Sequence, residues 1–238
     1  MSKNLVIIPT YNEKENIPDI VPYVMQLAEP FDILIVDDNS PDGTAEVVKK
    51  LKKQFPAKLH LLSRPGKEGL GKAYIAGFRW ALARSYDYIF EMDADFSHPP
   101  QKLIDLLKVL RKNEADVAIG SRYLKGKINV VNWDLKRILL SYFASLYVRL
   151  ITGLPVKDTT AGFVGYKRDV LKAFDFDKID FVGYAFQIEM KYRAWKKGFQ
   201  LKEVPIVFTD RVKGKSKMNG GIISEAIWGV LKMRFKKI

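Results

Sequence analysis

Residues 88–100 constrain the fold more than any other part of the chain. The segment begins with aromatic and β-branched residues, which predict a buried strand, and Pro99 and Pro100 then end that strand and favour the first turn of a helix. Two carboxylates, Asp93 and Asp95, therefore lie at the carboxyl end of the strand. Ligands bind at this end of an open α/β sheet, and one or two carboxylates commonly hold a hard divalent cation that carries a phosphate. A pair of solvated aspartates in a turn has the same spacing, so the motif needs support from other strand ends.

Strands and helices alternate along the first half of the chain, and this order predicts an α/β fold with a mostly parallel sheet and helices on both faces. Apolar runs predict strands at residues 5–9, 33–36, 59–62 and 117–120. Helical spacing predicts helices near residues 14–29, 44–55 and 72–84, and a further one from residue 101. The second half is less regular, with an extended segment at 162–166, a helix near 185–197 and a strand at 204–208. We expect a catalytic domain at residues 1–210, followed by a basic lid and a C-terminal amphipathic segment at 211–238.

Other strand ends also carry polar groups that suit a nucleotide. Tyr11 could stack on a flat ring, and Glu13 could accept hydrogen bonds from a ribose or a base. Asp37 and Asp38 follow the second strand, where an acid commonly binds a nucleoside by hydrogen bonds. The glycine-rich loop at residues 64–72 precedes a helix and could cradle an anion, although it lacks the dinucleotide-binding fingerprint. Together with the two aspartates, these groups predict a nucleotide–metal site.

The net charge of +13 is concentrated in two segments. Residues 122–157 hold seven Lys/Arg against one acid, and residues 210–238 hold eight against two, so each segment carries +6. Such segments attract nucleic acids, anionic lipid surfaces or phosphorylated substrates. Here they flank apolar helical stretches instead of interleaving with aromatic residues on a strand, which argues against a nucleic-acid partner.

Residues 136–152 predict a helix that could lie on a membrane surface. Arg137, Ser141, Ser145 and Arg149 recur every four residues and share one face, and the remainder is largely apolar. A helix with a broad apolar surface and a narrow basic stripe can lie in the headgroup layer, although a core helix would have the same spacing. The uncharged run at 138–148 is shorter than the ~20 residues that a span requires. We therefore expect no membrane anchor, no signal peptide and, without cysteines, no thiolate chemistry.

Motifs along nearly the whole chain resemble those of the dolichol-phosphate (polyprenyl-phosphate) mannose synthases, which are family 2 glycosyltransferases. The matching segments are residues 6–13, 36–44, 64–71, 92–100, 119–123, 160–163 and 208–218. The resemblance implies the Rossmann-like GT-A fold with amphipathic interface helices. It also implies an inverting transfer of mannose from GDP-mannose to a polyisoprenyl phosphate.

The resemblance further implies roles for individual residues. The nucleoside would be framed by Pro9, Tyr11, Glu13, Val36 and Asp38. The diphosphate would lie on Asp93, Ala94 and Asp95, with Mg²⁺ or Mn²⁺ held by the two aspartates. Some members have a glutamine ligand two residues after the second aspartate, and in this chain the hydroxyl of Ser97 or a water molecule would take its place. Arg122 would act with the aspartates in catalysis by contacting the sugar or phosphates, while Arg211 and Lys217 would clamp phosphates.

The expected reaction does not require a strong general base, because the acceptor phosphate is already an anion at neutral pH. We expect His60 to be structural and His98 to stabilise a turn. Two alternatives remain at this point: transfer of glucose or another hexose from a UDP-sugar to a polyprenyl phosphate or a glycan, and a non-catalytic module that binds a nucleotide sugar or another polyanion. We expect a peripheral protein at the cytoplasmic face of a membrane, otherwise cytoplasmic, with room for a separate membrane-embedded partner.

Overall fold

The computed structural model describes residues 2–124, 128–211, 213 and 221–235, with only the backbone described for 221–227 and for Tyr184. Nine strands are described: β1 Asn4–Thr10, β2 Asp32–Asp37, β3 Leu59–Ser63, β4 Tyr88–Glu91, β5 Val117–Ser121, β6 Val130–Val131, β7 Val164–Lys167, β8 Leu201–Pro205 and β9 Phe208–Thr209. The α-helices described are α1 Ile17–Met25, α2 Thr44–Lys52, α3 Leu70–Leu82, α4 Leu103–Arg111, α5 Leu135–Thr152, α6 Arg168–Lys172, α7 Tyr184–Lys196 and α8 Gly221–Phe235. The 3₁₀ turns Pro100–Lys102 and Phe176–Lys178 complete the described elements.

Seven strands form the main sheet in the order β3-β2-β1-β4-β7-β5-β8, and β6 pairs with β9 in a separate two-stranded sheet. The strands of the main sheet are parallel except β7, which is antiparallel to both β4 and β5. This confirms the predicted α/β fold with a mostly parallel sheet. Because β2, β1 and β4 are parallel neighbours, their carboxyl ends meet at one edge of the sheet.

A hydrophobic core lies on each face of the sheet, because neighbouring residues of a strand point to opposite sides. In β1, Ile7 packs in the core that contains Tyr74 of α3, whereas Ile8 packs in the other core with Leu106 of α4. Helix α3 approaches the sheet closely at Gly77, where an added Cβ would lie 2.7 Å from the Ile7 side chain. Burial on both faces explains why these strands are almost continuously apolar.

Three predicted elements differ from the structure. Helix α1 begins at Ile17 instead of residue 14, because the chain first forms a turn in which the Asn16 N–H donates to the Glu13 carbonyl. The extended segment predicted at 162–166 is the antiparallel strand β7, whose direction no local pattern reveals. The strand predicted at 204–208 begins and ends earlier, as β8 Leu201–Pro205: Ile206 makes the last main-chain hydrogen bond to β5, and the chain then leaves for β9.

Candidate active site

The chain turns sharply after β1, β2 and β4, which brings their polar groups to one edge of the sheet. After each strand one residue adopts a left-handed conformation, with φ of 57° at Asn12, 56° at Asn39 and 61° at Phe96. Asparagine tolerates this region well, but a bulky aromatic residue there is an outlier of the kind that clusters at functional sites. The three turns place Glu13, Asp38 and the two predicted metal-binding aspartates along one edge of the sheet, and the space in front of this edge is the candidate cleft.

The end of the cleft that holds the predicted nucleoside-binding residues contains a charged pair that was not predicted from the sequence. Arg64 Nη1 lies 2.7 Å from Asp38 Oδ1, and the Arg64 main-chain N–H donates to the Asp37 carbonyl. Burial raises the pKa of the Asp38 carboxyl, and the adjacent guanidinium offsets this only in part. Asp37 instead accepts hydrogen bonds from Thr10 and Ser40 and stabilises the turn. The side chain of Asp38, in contrast, takes no part in this turn, and its carboxylate is oriented by Arg64.

The remaining residues predicted to frame the nucleoside lie at the same end of the cleft. The Tyr11 ring is half-buried, and the Lys67 ammonium lies 5.1 Å from its centroid. Pro9 and Val36 are paired across β1 and β2, with the Val36 side chain fully buried in the core. Glu13 is buried and accepts a 2.7 Å hydrogen bond from Asn16 at the start of α1.

The Asp-x-Asp turn after β4 has an internal scaffold. Asp95 Oδ1 accepts hydrogen bonds from the Ser97 N–H at 3.0 Å and the Ser97 hydroxyl at 2.5 Å. The Asp93 N–H donates to His98 Nδ1 at 3.1 Å, and the His98 ring stacks on Phe163. His98 thus stabilises the turn, as predicted. Partial burial raises the pKa of the Asp93 carboxyl, and the adjacent charge of Asp95 adds to the effect.

These side chains fit a small divalent cation. Asp93 and Asp95 offer hard carboxylate oxygens, and Ala94 between them is buried. Among the described residues no third acid or histidine joins them in a metal-binding group. Mg²⁺ commonly takes one or two protein carboxylates, with phosphate oxygens and water completing its shell. Because Ser97 donates its hydroxyl to Asp95, its role in the structure is to orient that carboxylate.

Arg122, at the end of β5, is held rigidly on the other side of the cleft. Its main-chain N–H, Nε and Nη2 donate to the Asp158 carboxylate at 2.9, 2.8 and 2.6 Å, and Nη2 also donates to the Thr160 hydroxyl at 2.8 Å. Asp158 is fully buried; although burial alone would raise its pKa, the Arg122 guanidinium holds the pKa below its ordinary value. The aromatic rings of Trp133 and Phe208 lie within 5.7 Å of the guanidinium carbon. Asp158 was not predicted from the sequence, although it lies only two residues before the matching segment 160–163.

A buried acid and a buried lysine lie beneath the cleft. The Lys191 ammonium is fully buried and donates to the main-chain carbonyls of Ala161 at 2.6 Å and Gln187 at 2.8 Å. The Glu91 carboxyl, two residues before Asp93, is also fully buried. Within the described part of the chain its two oxygens lack a hydrogen bond of ordinary geometry, although the nearby Gln187 side chain lowers its pKa slightly. Burial raises the pKa of Glu91 to about 8 and lowers that of Lys191 to about 8. Both residues lay inside predicted elements and gave no signal of a shared environment.

Helix α5 packs through its polar stripe and exposes its apolar face. Ser145 is buried, Ser141 accepts a 2.7 Å hydrogen bond from Tyr123, and Arg137 pairs with Asp210 at 2.7 Å. The exposed apolar side chains of this helix are Leu135, Leu139, Leu140, Tyr142, Phe143 and Leu150. Three of the four residues of the predicted basic stripe therefore make contacts within the protein, whereas Arg149 is exposed. The location of this helix in a headgroup layer stays a prediction. Within the described residues, no helix combines the length and hydrophobicity needed to cross a bilayer.

Two predicted phosphate-binding residues follow β9. Arg211 Nη2 lies 2.8 Å from Asp95 Oδ2, so Arg211 reaches the Asp-x-Asp turn. Lys217 lies outside the described residues.

Comparison with known proteins confirms the resemblance. Residues 5–174 match the family model of glycosyl transferase family 2. The polyprenol monophosphomannose synthase of Mycolicibacterium smegmatis is 46% identical over 96% of this chain and 87% of its own length. The undecaprenyl-phosphate mannosyltransferase of Micrococcus luteus is 46% identical over 95% of this chain and 93% of its own length.

Solved structures support the GT-A-like fold. Glucosyl-3-phosphoglycerate synthase from Mycobacterium tuberculosis, in complex with Mn²⁺, UDP and glucosyl-3-phosphoglycerate, matches 98% of this chain and 80% of its own, with a TM-score of 0.69 and 17% identity. The mannosyltransferase PcManGT from Pyrobaculum calidifontis, in complex with GDP-Man and Mn²⁺, matches 90% of this chain with a TM-score of 0.60 and 18% identity, and this chain spans 58% of its length. The fold and the family model agree: this chain belongs to glycosyl transferase family 2 and is a glycosyltransferase.

Proposed function

We propose that this enzyme transfers mannose from GDP-mannose to a polyisoprenyl phosphate, with inversion at the anomeric carbon and with the help of Mg²⁺ or Mn²⁺. The observation that carries the proposal is the 46% identity, over nearly the whole chain, to a polyprenol monophosphomannose synthase and an undecaprenyl-phosphate mannosyltransferase. The cleft adds independent support, because it joins a nucleoside-binding end, a pair of carboxylates and a fixed arginine.

In this proposal the donor lies along the carboxyl ends of the strands. Tyr11 stacks on the base, and Asp38, oriented by Arg64, accepts its hydrogen bonds. Asp93 and Asp95 would hold the divalent ion, which when bound would neutralise the charge that develops on the leaving diphosphate. This placement sets the anomeric carbon between the aspartates and the acceptor side of the cleft.

The acceptor phosphate attacks the anomeric carbon from the face opposite the diphosphate. A phosphate oxygen forms the new bond to this carbon as the bond to the diphosphate oxygen breaks, so the configuration inverts. The acceptor oxygen is already anionic, and no proton has to be removed. Arg122 stabilises charge on the phosphates, and because Asp158 and Thr160 fix its guanidinium, little reorganisation is needed in the transition state. Arg211 and Lys217 would supply further positive charge to the phosphates.

An apolar path supports delivery of a lipid acceptor to Arg122. The Arg122 guanidinium carbon lies 5.2 Å from the centre of the Tyr123 ring. The ring centres of Tyr123 and Tyr142 are 5.7 Å apart, and those of Tyr142 and Phe143 are 5.9 Å apart. Tyr142 and Phe143 belong to the exposed apolar face of α5. We propose that this face rests on the membrane that contains the lipid, so that the enzyme is peripheral at the cytoplasmic leaflet.

Helix α8 supports the same orientation. It packs against α5, and its Trp228 and Phe235 side chains are 73% and 85% exposed. The basic segments that contain these helices would favour an anionic leaflet, because each Lys or Arg near such a surface contributes roughly 1 kcal/mol. A separate membrane-embedded partner and the domain division at residue 210 stay predictions.

A panel of nucleotide sugars with a short polyprenyl phosphate tests the proposed reaction. We expect metal-dependent release of GDP from GDP-mannose and little turnover of UDP-glucose, with the product in the inverted configuration. Preferred use of a UDP-sugar would favour the alternative hexosyltransferase, and no turnover of any donor would favour a binding module.

The role of the aspartates is tested by Asp95→Asn. We expect this change to abolish transfer, because loss of a metal ligand removes several kcal/mol of transition-state stabilisation. The matched control is Asp105→Asn on α4, which removes a partly exposed carboxylate paired with Lys102. Full activity of Asp95→Asn at saturating metal would exclude the assigned role.

A further inference from the structure

Both oxygens of the Asp95 carboxylate are engaged by the protein itself. Oδ1 accepts the two hydrogen bonds from Ser97, and Oδ2 lies 2.8 Å from Arg211 Nη2. The side chain of Asp95 is only 3% exposed, whereas that of Arg211 is 25% exposed. Oδ2 keeps one lone pair for a further ligand, but a divalent ion bound there would lie beside the positively charged guanidinium. The two cations repel each other, so they compete for this carboxylate.

Arg211 is the partner that can leave. The Ser97 bonds lie within one tight turn, two residues along the chain, and losing them would unravel the turn itself. Arg211 reaches Asp95 from 116 positions away in the sequence. Its neighbours in the chain are anchored elsewhere: Asp210 pairs with Arg137 of α5, and Lys213 pairs with Asp19 of α1. These two ion pairs do not involve Asp95, so they can persist when the Arg211 guanidinium exchanges partners.

We propose that Arg211 and the divalent ion are alternative occupants of Asp95, so that the ion binds tightly only together with the nucleotide diphosphate. The proposal rests on the metal role assigned above to Asp93 and Asp95. Before the donor arrives, Arg211 neutralises Asp95 and competes with the free ion. When the donor arrives, its phosphate oxygens offer the planar guanidinium a new anionic partner, for which its geometry is well suited.

Competition of this kind has a reciprocal consequence. If the diphosphate draws Arg211 away from Asp95, it must raise the affinity for the ion, and the ion must raise the affinity for the diphosphate by the same factor. Binding of metal and donor is then cooperative without any contribution from the sugar or the lipid. The coupling should depend on Arg211 and not on positive charge in general.

This coupling can be measured without catalysis by titrating the enzyme with Mn²⁺. Electron paramagnetic resonance monitors binding, because the signal of the free ion is lost when the ion binds. For the wild-type enzyme we expect GDP to tighten Mn²⁺ binding at least about tenfold. For Arg211→Ala we expect Mn²⁺ alone to bind about tenfold more tightly than to wild type, and the effect of GDP to shrink correspondingly. Arg211→Gln, which keeps a polar but uncharged side chain, should behave in the same way.

Lys213→Ala is the matched control, since it removes one positive charge from the same segment but breaks a pair with Asp19 instead of Asp95. We expect it to leave Mn²⁺ binding within about twofold of wild type, as an exposed charge at this distance is well screened. Thermal melting of each variant checks that the fold is retained.

Two results would overturn the inference alone: Mn²⁺ affinity without GDP that is unchanged in both Arg211 variants, or an equal tightening in Lys213→Ala. The first would show that Arg211 does not compete, and the second that only overall charge matters. Absence of Mn²⁺ binding in every variant, with and without GDP, would instead refute the metal role of Asp93 and Asp95 and the inference with it.

Discussion

Replacement of Leu139, Phe143 and Leu150 by serine should detach the enzyme from membranes while leaving the fold and the nucleotide site intact. These side chains of α5 are 44%, 56% and 75% exposed, so they contribute little to the interior. The helix is held by its opposite face, where Ser145 and Val148 are buried. The substitutions therefore test the exposed surface without opening a cavity.

The expected loss follows from the exposed area. The exposed fractions of the three side chains add up to about 1.75, the equivalent of nearly two fully exposed side chains. Burying one fully exposed side chain of this kind contributes about 1.5–3 kcal/mol. Transfer of this surface into a membrane is then worth about 3–5 kcal/mol. Since the headgroup region covers the helix only in part, we expect at least about 2.7 kcal/mol, a hundredfold weaker partition.

Co-sedimentation with vesicles that contain anionic lipid, measured over a range of lipid concentrations at low salt, gives the partition coefficient. High salt should weaken binding of the wild type and the variant by a similar factor, because it screens the basic segments and leaves the apolar term. GDP affinity and the thermal midpoint should match wild type. As a control, Tyr23→Ser combined with Leu70→Ser removes exposed apolar groups from α1 and α3, and should not change sedimentation. If the variant sediments like wild type, or if wild type ignores the vesicles at low salt, the assignment of α5 to the membrane surface is wrong.

Two further predictions concern buried charged groups: the Glu91–Lys191 pair beneath the cleft and Asp158, which holds Arg122. Folding raises the pKa of Glu91 from 4.5 to about 8, so the free energy of unfolding falls as the pH rises through this interval. Folding lowers the pKa of Lys191 from 10.5 to about 8, so the free energy of unfolding rises again between about pH 8 and pH 10.5. Urea denaturation should therefore show a minimum of stability near pH 8, which Glu91→Leu with Lys191→Met should flatten; an unchanged profile in the double variant would contradict this origin. Asp158→Asn should lower the free energy of unfolding by about 3–5 kcal/mol, since it leaves the Arg122 charge buried without its partner, and should slow transfer even where the fold persists. Asp177→Asn, which breaks an exposed ion pair, should cost less than about 1 kcal/mol in the same denaturation assay, and equal costs for the two variants would refute the buried-pair explanation.

The sequence by itself determined the elements and the chemical types of the site. Strands and helices follow from local patterns of apolar residues, and the predicted positions of β1, β2, β4, α3 and α7 agree with the structure to within a few residues. The Asp-x-Asp at a strand end was recognisable because a strand, a turn and a proline stop are encoded within a dozen neighbouring residues. Parallel order then brings the strand ends together, so the edge that holds the cleft could be predicted as well.

Only the tertiary structure decided which groups act on one another. Asp158 lies 36 positions from Arg122, and Arg64 lies 26 positions from Asp38, so no local pattern joins either pair. The direction of β7 depends on where the chain returns to the sheet after α5. The burial of Ser145 depends on which face of α5 packs against the rest of the protein. Charge pairing, strand direction and helix orientation are settled by contacts between distant segments, because those contacts exclude water and fix the neighbours of each polar group.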